Sequence, residues 1–261
     1  MPPTKKQREA IYTLWDDLAG FSVAQTDAAL VHLMTTLAGF VRAGNAFWIG
    51  ALRVGPAQPD DPLKGWRPRV NRYLYPAPIH EEAYKAQLSK WNRREMDPSF
   101  RLPMRGVGRF RSYRLRSALP RAWFDGPFYK LYYASRGLRD SCFVFFPLHE
   151  DCESCFAFHR VGTRSDFRDG DEALLAHALR GIKWFHRQLV LSHGLTLACG
   201  PLTPLQRKVV HLLLTGSSEC EIADQMEQSA KTVHKYITGL FRKFGVNSRA
   251  GLMALWLGRK D

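Results

Sequence analysis

The last sixty residues constrain the fold more than any other part of this chain. From Leu202 onward there is no strand signal, and four short helices follow one another with their ends marked by capping residues. Thr203 before Pro204 is an N-cap with proline at the first helical position, and that helix runs to Leu214, with Gly216 ending it. Leu205, Val209, Val210, Leu212 and Leu213 are available for a core. Glu219 to Met226 reads as a short second helix, with Ile222, Ala223 and Met226 facing inward. Gln228-Ser229 makes the turn, and Ser229 caps a third helix.

On that third helix Val233, Ile237, Leu240, Phe241 and Phe244 form one apolar stripe. Lys231, Lys235, Thr238 and Arg242 fall in a narrow band nearly opposite it. Gly239 lies beside the band, costs on the order of 1 kcal/mol of helix stability relative to Ala, and leaves room for close approach. His234 sits on one flank; Thr232, Tyr236 and Lys243 cluster on the other. A short helix, a tight turn and a capped helix with a basic outer face make a helix-turn-helix.

The segment LTPLQRKVVHLLLTGSSECEIADQMEQSAKTVHKYITGLFRKFGVNSRAGLMALW resembles the DNA-binding domain of LuxR/FixJ/NarL-type bacterial regulators. The resemblance rests on Leu202-Thr203-Pro204, Gly216, Glu221-Ile222-Ala223, Lys231-Thr232-Val233, Lys243, Gly245-Val246 and Ser248-Arg249. It implies that the third helix enters the major groove and that the fourth, Arg249 to Leu257, pairs two protomers through Leu252, Met253, Leu255 and Trp256. It assigns base reading to His234, Lys235 and Thr238, and phosphate contact to Lys231, Thr232, Tyr236, Lys243 and Arg249, to which Arg242 on the outward ridge is added. Base-edge contacts set sequence preference, and phosphate contacts set register and salt dependence. Gln206 and Lys208 depart from the acidic residues usual in the family, and Tyr236 replaces a usual histidine, which leaves the target sequence open.

The charge balance agrees with a polyanionic partner. Thirty-eight Lys and Arg against 24 Asp and Glu give a net charge of +14. The N-terminus, Met1 to Arg8, is polar and basic with no secretory signal, and no apolar run reaches the roughly 18 residues needed to cross a bilayer. Five cysteines, an odd number, argue for reduced thiols. The expectation is a soluble, cytoplasmic protein without a membrane partner.

Residues 1–195 read as a helix–strand mixture and form the first expected domain, with 196–201 as linker and 202–261 as the helix-turn-helix domain. Residues 4 to 45 are helix-rich, Phe47 to Val54 reads as a strand, Val70 to Tyr75 as a second, Glu81 to Arg94 as a helix and Phe124 to Tyr133 as a short one. Asp140 to Leu148 and Cys155 to Val161 are two further strands around an acidic turn containing Cys152. Phe167-Arg-Asp-Gly-Asp-Glu172 then leads into one long amphipathic helix ending at His193-Gly194. This order resembles GAF- or PAS-like sensor domains and the related acyl-homoserine-lactone-binding domain, and implies an α/β/α sandwich, so the whole chain is α+β. The lactone receptors' Trp-x-x-x-Tyr pair is absent, since Trp66 and Tyr73 are seven apart.

Trp48, Trp66, Tyr73, Tyr75, Trp91, Asp97, Trp123 and Tyr129 are the candidates for a ligand pocket, with core packing as the competing role for each aromatic. His149, Cys152, Cys155 and His159 have spacings compatible with zinc, although a plain hairpin with buried thiols is the preferred reading. Arg93, Arg94, Arg101, Arg105, Arg109, Arg111, Arg114, Arg116 and Arg121 crowd one segment, which reads as extra DNA contacts, as an anionic-ligand site or as a solvated loop. No His-Glu-x-x-His, Gly-x-Ser-x-Gly, P-loop or Gly-x-Gly-x-x-Gly is present, and an enzyme is not expected.

The sequence therefore points to a bacterial transcription regulator: a homodimer on double-stranded promoter DNA, with a small-molecule effector of quorum-sensing type, no further cofactor and RNA polymerase as a candidate contact. A ligand-independent regulator, whose N-terminal domain serves dimerisation or protein contacts, and a metal- or redox-gated one stay open beside it.

Overall fold

A computed structural model describes residues 3–53, 61–76, 97–162, 165–195 and 202–256. Trp91 and the helix expected over Glu81 to Arg94 lie outside these residues, as do Arg93, Arg94 and the expected linker. The chain divides into two compact units, residues 1–14 with 31–183, and residues 15–30 with 184–261.

The first unit is built on a five-stranded antiparallel sheet in the order β2-β1-β5-β4-β3. Its strands are β1 (Asn45–Arg53), β2 (Trp66–Tyr73), β3 (Arg111–Arg114), β4 (Leu138–His149) and β5 (Cys152–Val161). β4 and β5 form the hairpin read from the sequence, but β5 starts at Cys152, so this residue lies on the strand and not in the turn. Pairing sets Trp48 opposite Phe156, Phe158 opposite Cys142, and Val144 opposite both Phe156 and Ser112. Even-numbered residues of β1, β3, β4 and β5 thereby share one face, because side chains alternate along a strand. Ala46, Trp48, Cys142, Val144, Phe156 and Phe158 on that face are fully buried.

Helix Asp169–Arg180 packs against β3 and β4 on the same face, where Glu172 accepts from Ser112 Oγ at 2.8 Å and from Arg114 Nε at 3.0 Å. The single long helix expected after Gly170 is in fact two. Gly181 and Ile182 separate Asp169–Arg180 from Lys183–Ser192, and Ile182 is buried at the break. Glycine is a poor helix former, and a buried Ile182 anchors the chain where it leaves the first helix axis.

Among the described residues of the Arg-rich segment, three arginines have internal roles. Arg111 forms a two-pronged pair with Glu153, at 2.8 and 2.7 Å, and also donates to the Pro103 carbonyl. Arg114 reaches Glu172, Asp169 and the Phe167 carbonyl. Arg116 lies over the Phe124 ring at 3.9 Å. These three guanidiniums tie β3 and its neighbours to the rest of the unit, while Arg101, Arg105, Arg109 and Arg121 remain exposed.

The second unit contains the C-terminal helices Pro204–Leu214, Glu219–Met226, Ala230–Phe244 and Arg249–Trp256, matching the boundaries read from the sequence. Their shared core holds Val209, Val210, Leu213, Ile222, Val233, Ile237, Leu240, Phe244, Leu252 and Leu255. Reciprocal capping bonds fix two helix starts: Thr203 with Gln206, at 3.1 and 3.2 Å, and Ser218 with Glu221, at 2.7 and 3.2 Å. The turn into the third helix opens one residue earlier than expected, at Glu227, which holds a left-handed backbone (φ 52°) while Gln228 N–H donates to the Ala223 carbonyl at 3.0 Å.

Candidate functional site

The third C-terminal helix presents the surface the sequence assigned to it. Ser229 Oγ accepts from Thr232 N–H at 3.1 Å, and Gly245 closes the far end in a left-handed conformation. Between them Val233, Ile237, Leu240 and Phe244 are buried, which points Lys231, Lys235, Thr238 and Arg242 outward, all exposed. None of these four side chains makes an ion pair or side-chain hydrogen bond among the described residues. A Cβ at Gly239 would meet nothing within 4 Å, so packing does not demand glycine there.

Other residues assigned to DNA have partners within the domain. His234 Nδ1 lies 3.1 Å from Glu219 Oε2 on the helix before, in an exposed pair. Lys243 Nζ donates to Gln206 Oε1 at 3.1 Å, so the Gln206 side chain serves both the cap of the first helix and the third helix. Arg249 donates to the carbonyls of Gly216 and Ser217 and thus holds the turn between the first two helices. Tyr236 is half-buried against the core, and Thr232 shares the cap with Ser229.

The residues assigned to dimerisation differ in where they lie within the domain. Leu252 and Leu255 point into the domain's own core, and Trp256 packs on Phe244 at 6.3 Å between ring centres. Met253, 41% exposed, is the member of that set that faces outward.

In the first unit the odd-numbered face of the sheet looks into a cavity of about 440 Å³. Phe47, Ile49, Ala51, Arg111, Tyr113, Phe143, Phe145, Glu153, Cys155 and His159 come from the strands. Segments 99–107 and 128–138 supply the opposite wall, including Phe100, Met104, Phe128, Tyr132, Tyr133 and Arg136. Tyr113 stacks on Phe143 and Phe145, and Phe47 approaches both Phe143 and His159. The size and aromatic lining suit a small molecule.

Of the pocket candidates, Trp66 and Tyr73 line this cavity. Trp48 does not: it is an even-numbered residue of β1, fully buried on the other face, with Nε1 donating to Ser154 Oγ at 2.8 Å. Tyr75 is exposed. Asp97 accepts from Trp123 Nε1 at 2.9 Å and from Ser99 N–H at 2.9 Å, and Trp123 and Tyr129 belong to an aromatic cluster behind the wall. Tyr113, Phe143, Phe145 and Arg136 escaped the sequence reading. The signal that finds the strand residues among them is alternation, since Phe47, Ile49, Phe143 and Phe145 all stand at odd positions.

The zinc candidates are not assembled. Cys155 and His159 face the cavity, and Cys152 is buried at the start of β5. Among the described residues, the group of metal-ligating side chains that do converge is His149, Glu150 and Asp151, in the exposed hairpin turn. Burial pushes the Cys152 thiol up to about 12 and Cys155 higher still, which keeps both protonated. Burial, assisted by the nearby Arg136 charge, lowers His159 to about 3 and leaves it neutral, with Ser141 Oγ at 2.7 Å from Nδ1.

A short helix, a turn, and a longer helix whose polar ridge is basic and unpaired define a helix-turn-helix domain. Residues 200–255 match the family model described as "Bacterial regulatory proteins, luxR family". This portion of the chain is a helix-turn-helix domain of the LuxR family. A curated relative, the "Probable HTH-type transcriptional regulator GfsR" of Streptomyces halstedii, is 39% identical over 57 residues, which make up 22% of this chain and 24% of the relative. The match thus spans about a quarter of that relative's length. Among solved structures, "SdiA in complex with octanoyl-rac-glycerol" is 14% identical with a TM-score of 0.48, covering 99% of this chain and 97% of that one. SdiA from Escherichia coli is 15% identical with a TM-score of 0.47, covering 95% of this chain and 97% of that one.

Proposed function

We propose that this chain is a transcription regulator of the LuxR type that reads double-stranded promoter DNA with its third C-terminal helix. Residues 202–261 form the reader, residues 1–195 the sensor, and 196–201 the link between them. The observation that carries this reading is the ridge of Lys231, Lys235, Thr238 and Arg242: exposed, three of the four cationic, and without internal partners. A buried stripe fixes that ridge outward, and a helix of this kind fits the major groove, where Lys and hydroxyl side chains read base edges. The cavity behind the odd-numbered face of the sheet takes a small-molecule effector, which governs promoter binding by a homodimer. Two readers about one helical turn apart (~34 Å) would match a two-fold operator.

Selection of duplexes from a random pool by the full chain tests the reading. Wild type should enrich a two-fold symmetric sequence. Lys235→Ala and Thr238→Ala should relax the selection by about 1–3 kcal/mol at the base pairs they contact. Enrichment of the same sequence with equal affinity by both variants would sink the proposal. For the sensor, Ile49→Trp places an indole in the cavity and should abolish the response to any effector that binds there.

A further inference from the structure

The cavity in the first unit has an uneven charge ledger. Arg111 and Glu153 line it, but they neutralise each other in a two-pronged pair, with Gly108 N–H also donating to Glu153 at 2.8 Å. Arg67 is paired with Asp61 at 3.0 Å. His159 carries no charge at neutral pH, since its buried imidazole titrates near 3. That leaves Arg136. Its side chain has no hydrogen bond or ion pair among the described residues, and its Nε is buried without a partner. The Tyr132 hydroxyl, on the same wall, is buried without a partner too.

Both groups are held in place by their backbone. Helix Pro127–Tyr132 delivers Tyr132, and the short 3-10 turn Ala134–Arg136 that follows ends at Gly137, whose φ of 67° only glycine adopts without strain. Leu138 N–H then donates to the Tyr133 carbonyl at 2.9 Å, which closes the loop and fixes where Arg136 leaves it. Buried polar atoms normally find partners, and here a guanidinium nitrogen and a phenol hydroxyl, both from the segment 132–136 that lines one cavity, have none among the described residues. A guanidinium donates in a planar fork that suits a carboxylate, and a phenol adds a further donor. Phe47, Ile49, Phe143 and Tyr113 give the sheet side of the cavity a mainly aromatic and apolar surface, in which Arg111 and Glu153 are already paired with each other.

We infer that the cavity takes an apolar ligand bearing a carboxylate, with the carboxylate on Arg136 and Tyr132 and the apolar body against Phe47, Ile49, Tyr113 and Phe143. The inference rests on the cavity being the effector site and names the chemical class of that effector. The anion supplies the charge that the lining lacks, and its body fills the aromatic end.

Calorimetric titration of the full chain with octanoate and 4-phenylbutanoate, each beside its neutral primary amide, tests this. At least one acid should bind ten- to a hundredfold more tightly than its amide, the range expected for a charge-assisted hydrogen bond in a partly dry site. Arg136→Gln should remove that preference by weakening the acids far more than the amides, because a carboxamide at this position cannot offer the charged fork. Arg136→Lys should retain part of it. Equal or tighter binding of the amides to wild type would overturn the ligand class while the cavity remains an effector site. Binding of both compounds that Ile49→Trp leaves intact would place the ligand elsewhere and overturn both. Absence of heat from all four compounds would likewise overturn both.

Discussion

Arg207 Nη2 donates to Asp27 Oδ2 at 2.5 Å, joining the first C-terminal helix to the start of a helix 180 positions earlier in the chain. The guanidinium is 9% exposed and the carboxylate 53%, so removing the acid strands a buried cation whereas the acid itself is half in water. Full burial of such a pair would put the loss at about 3–5 kcal/mol, and the exposed carboxylate reduces it to about 1–2 kcal/mol for Asp27→Asn. Denaturant unfolding of Asp27→Asn, Arg207→Met and the double variant measures the coupling. A coupling below about 0.3 kcal/mol would show that the pair does not form in solution.

Stability should fall as the solution becomes mildly acidic. His159 titrates near 3 in the folded chain against 6.5 when unfolded, because burial disfavours its charged form. Between those values the unfolded chain holds the extra proton. The contribution is therefore complete above about pH 6.5 and is lost on acidification, by up to about 1.4 kcal/mol per pH unit. His211, lowered by burial and by Arg207, acts in the same direction. His159→Gln should lose about 2 kcal/mol less than wild type between pH 7 and pH 5. Equal slopes for the two chains would show that His159 is not held neutral.

Arg242 and Arg249, seven residues apart, should behave differently. Arg242 is exposed and has no partner among the described residues, so Arg242→Ala should lower the salt slope of DNA binding by about one and leave unfolding unchanged. Arg249 is occupied with the carbonyls of Gly216 and Ser217. Arg249→Ala should cost about 1–2 kcal/mol of stability with a smaller change in the slope. The reverse pattern, a stable Arg249→Ala with the larger loss of slope, would return Arg249 to the phosphate contacts.

Trp48 and Trp66 separate the two faces of the sheet. Trp48→Ala removes a fully buried indole and its bond to Ser154, and should cost about 3–5 kcal/mol. Trp66, also buried, lines the cavity, so Trp66→Ala should lower effector affinity as well as stability. Thermal unfolding with and without the effector distinguishes them. An effector-induced shift that Trp66→Ala leaves unchanged would show that Trp66 does not meet the ligand.

The helix-turn-helix was readable because its determinants are local. Thr203, Gly216, Ser229 and Gly245 act on atoms within a few residues, and the stripe from Val233 to Phe244 needs nothing beyond its own spacing. The sensor depends on distant partners. Arg114 meets Glu172 across 58 positions and Arg111 meets Glu153 across 42, so spacing alone could not separate these internal braces from the exposed arginines around them. Trp48 was grouped with Trp66 by residue type, although its even position on β1 assigns it to the opposite face. The break at Gly181 was hidden because the apolar spacing continues through Ile182, which is buried for a different reason.

The strict alternation along β1, β4 and β5 also bears on how such a protein diversifies. Positions 47, 49, 143 and 145 meet the cavity, whereas 46, 48, 142, 144, 156 and 158 pack the opposite layer. Point changes in the first group therefore reshape the cavity one side chain at a time, while the layer beneath the even-numbered face keeps its packing.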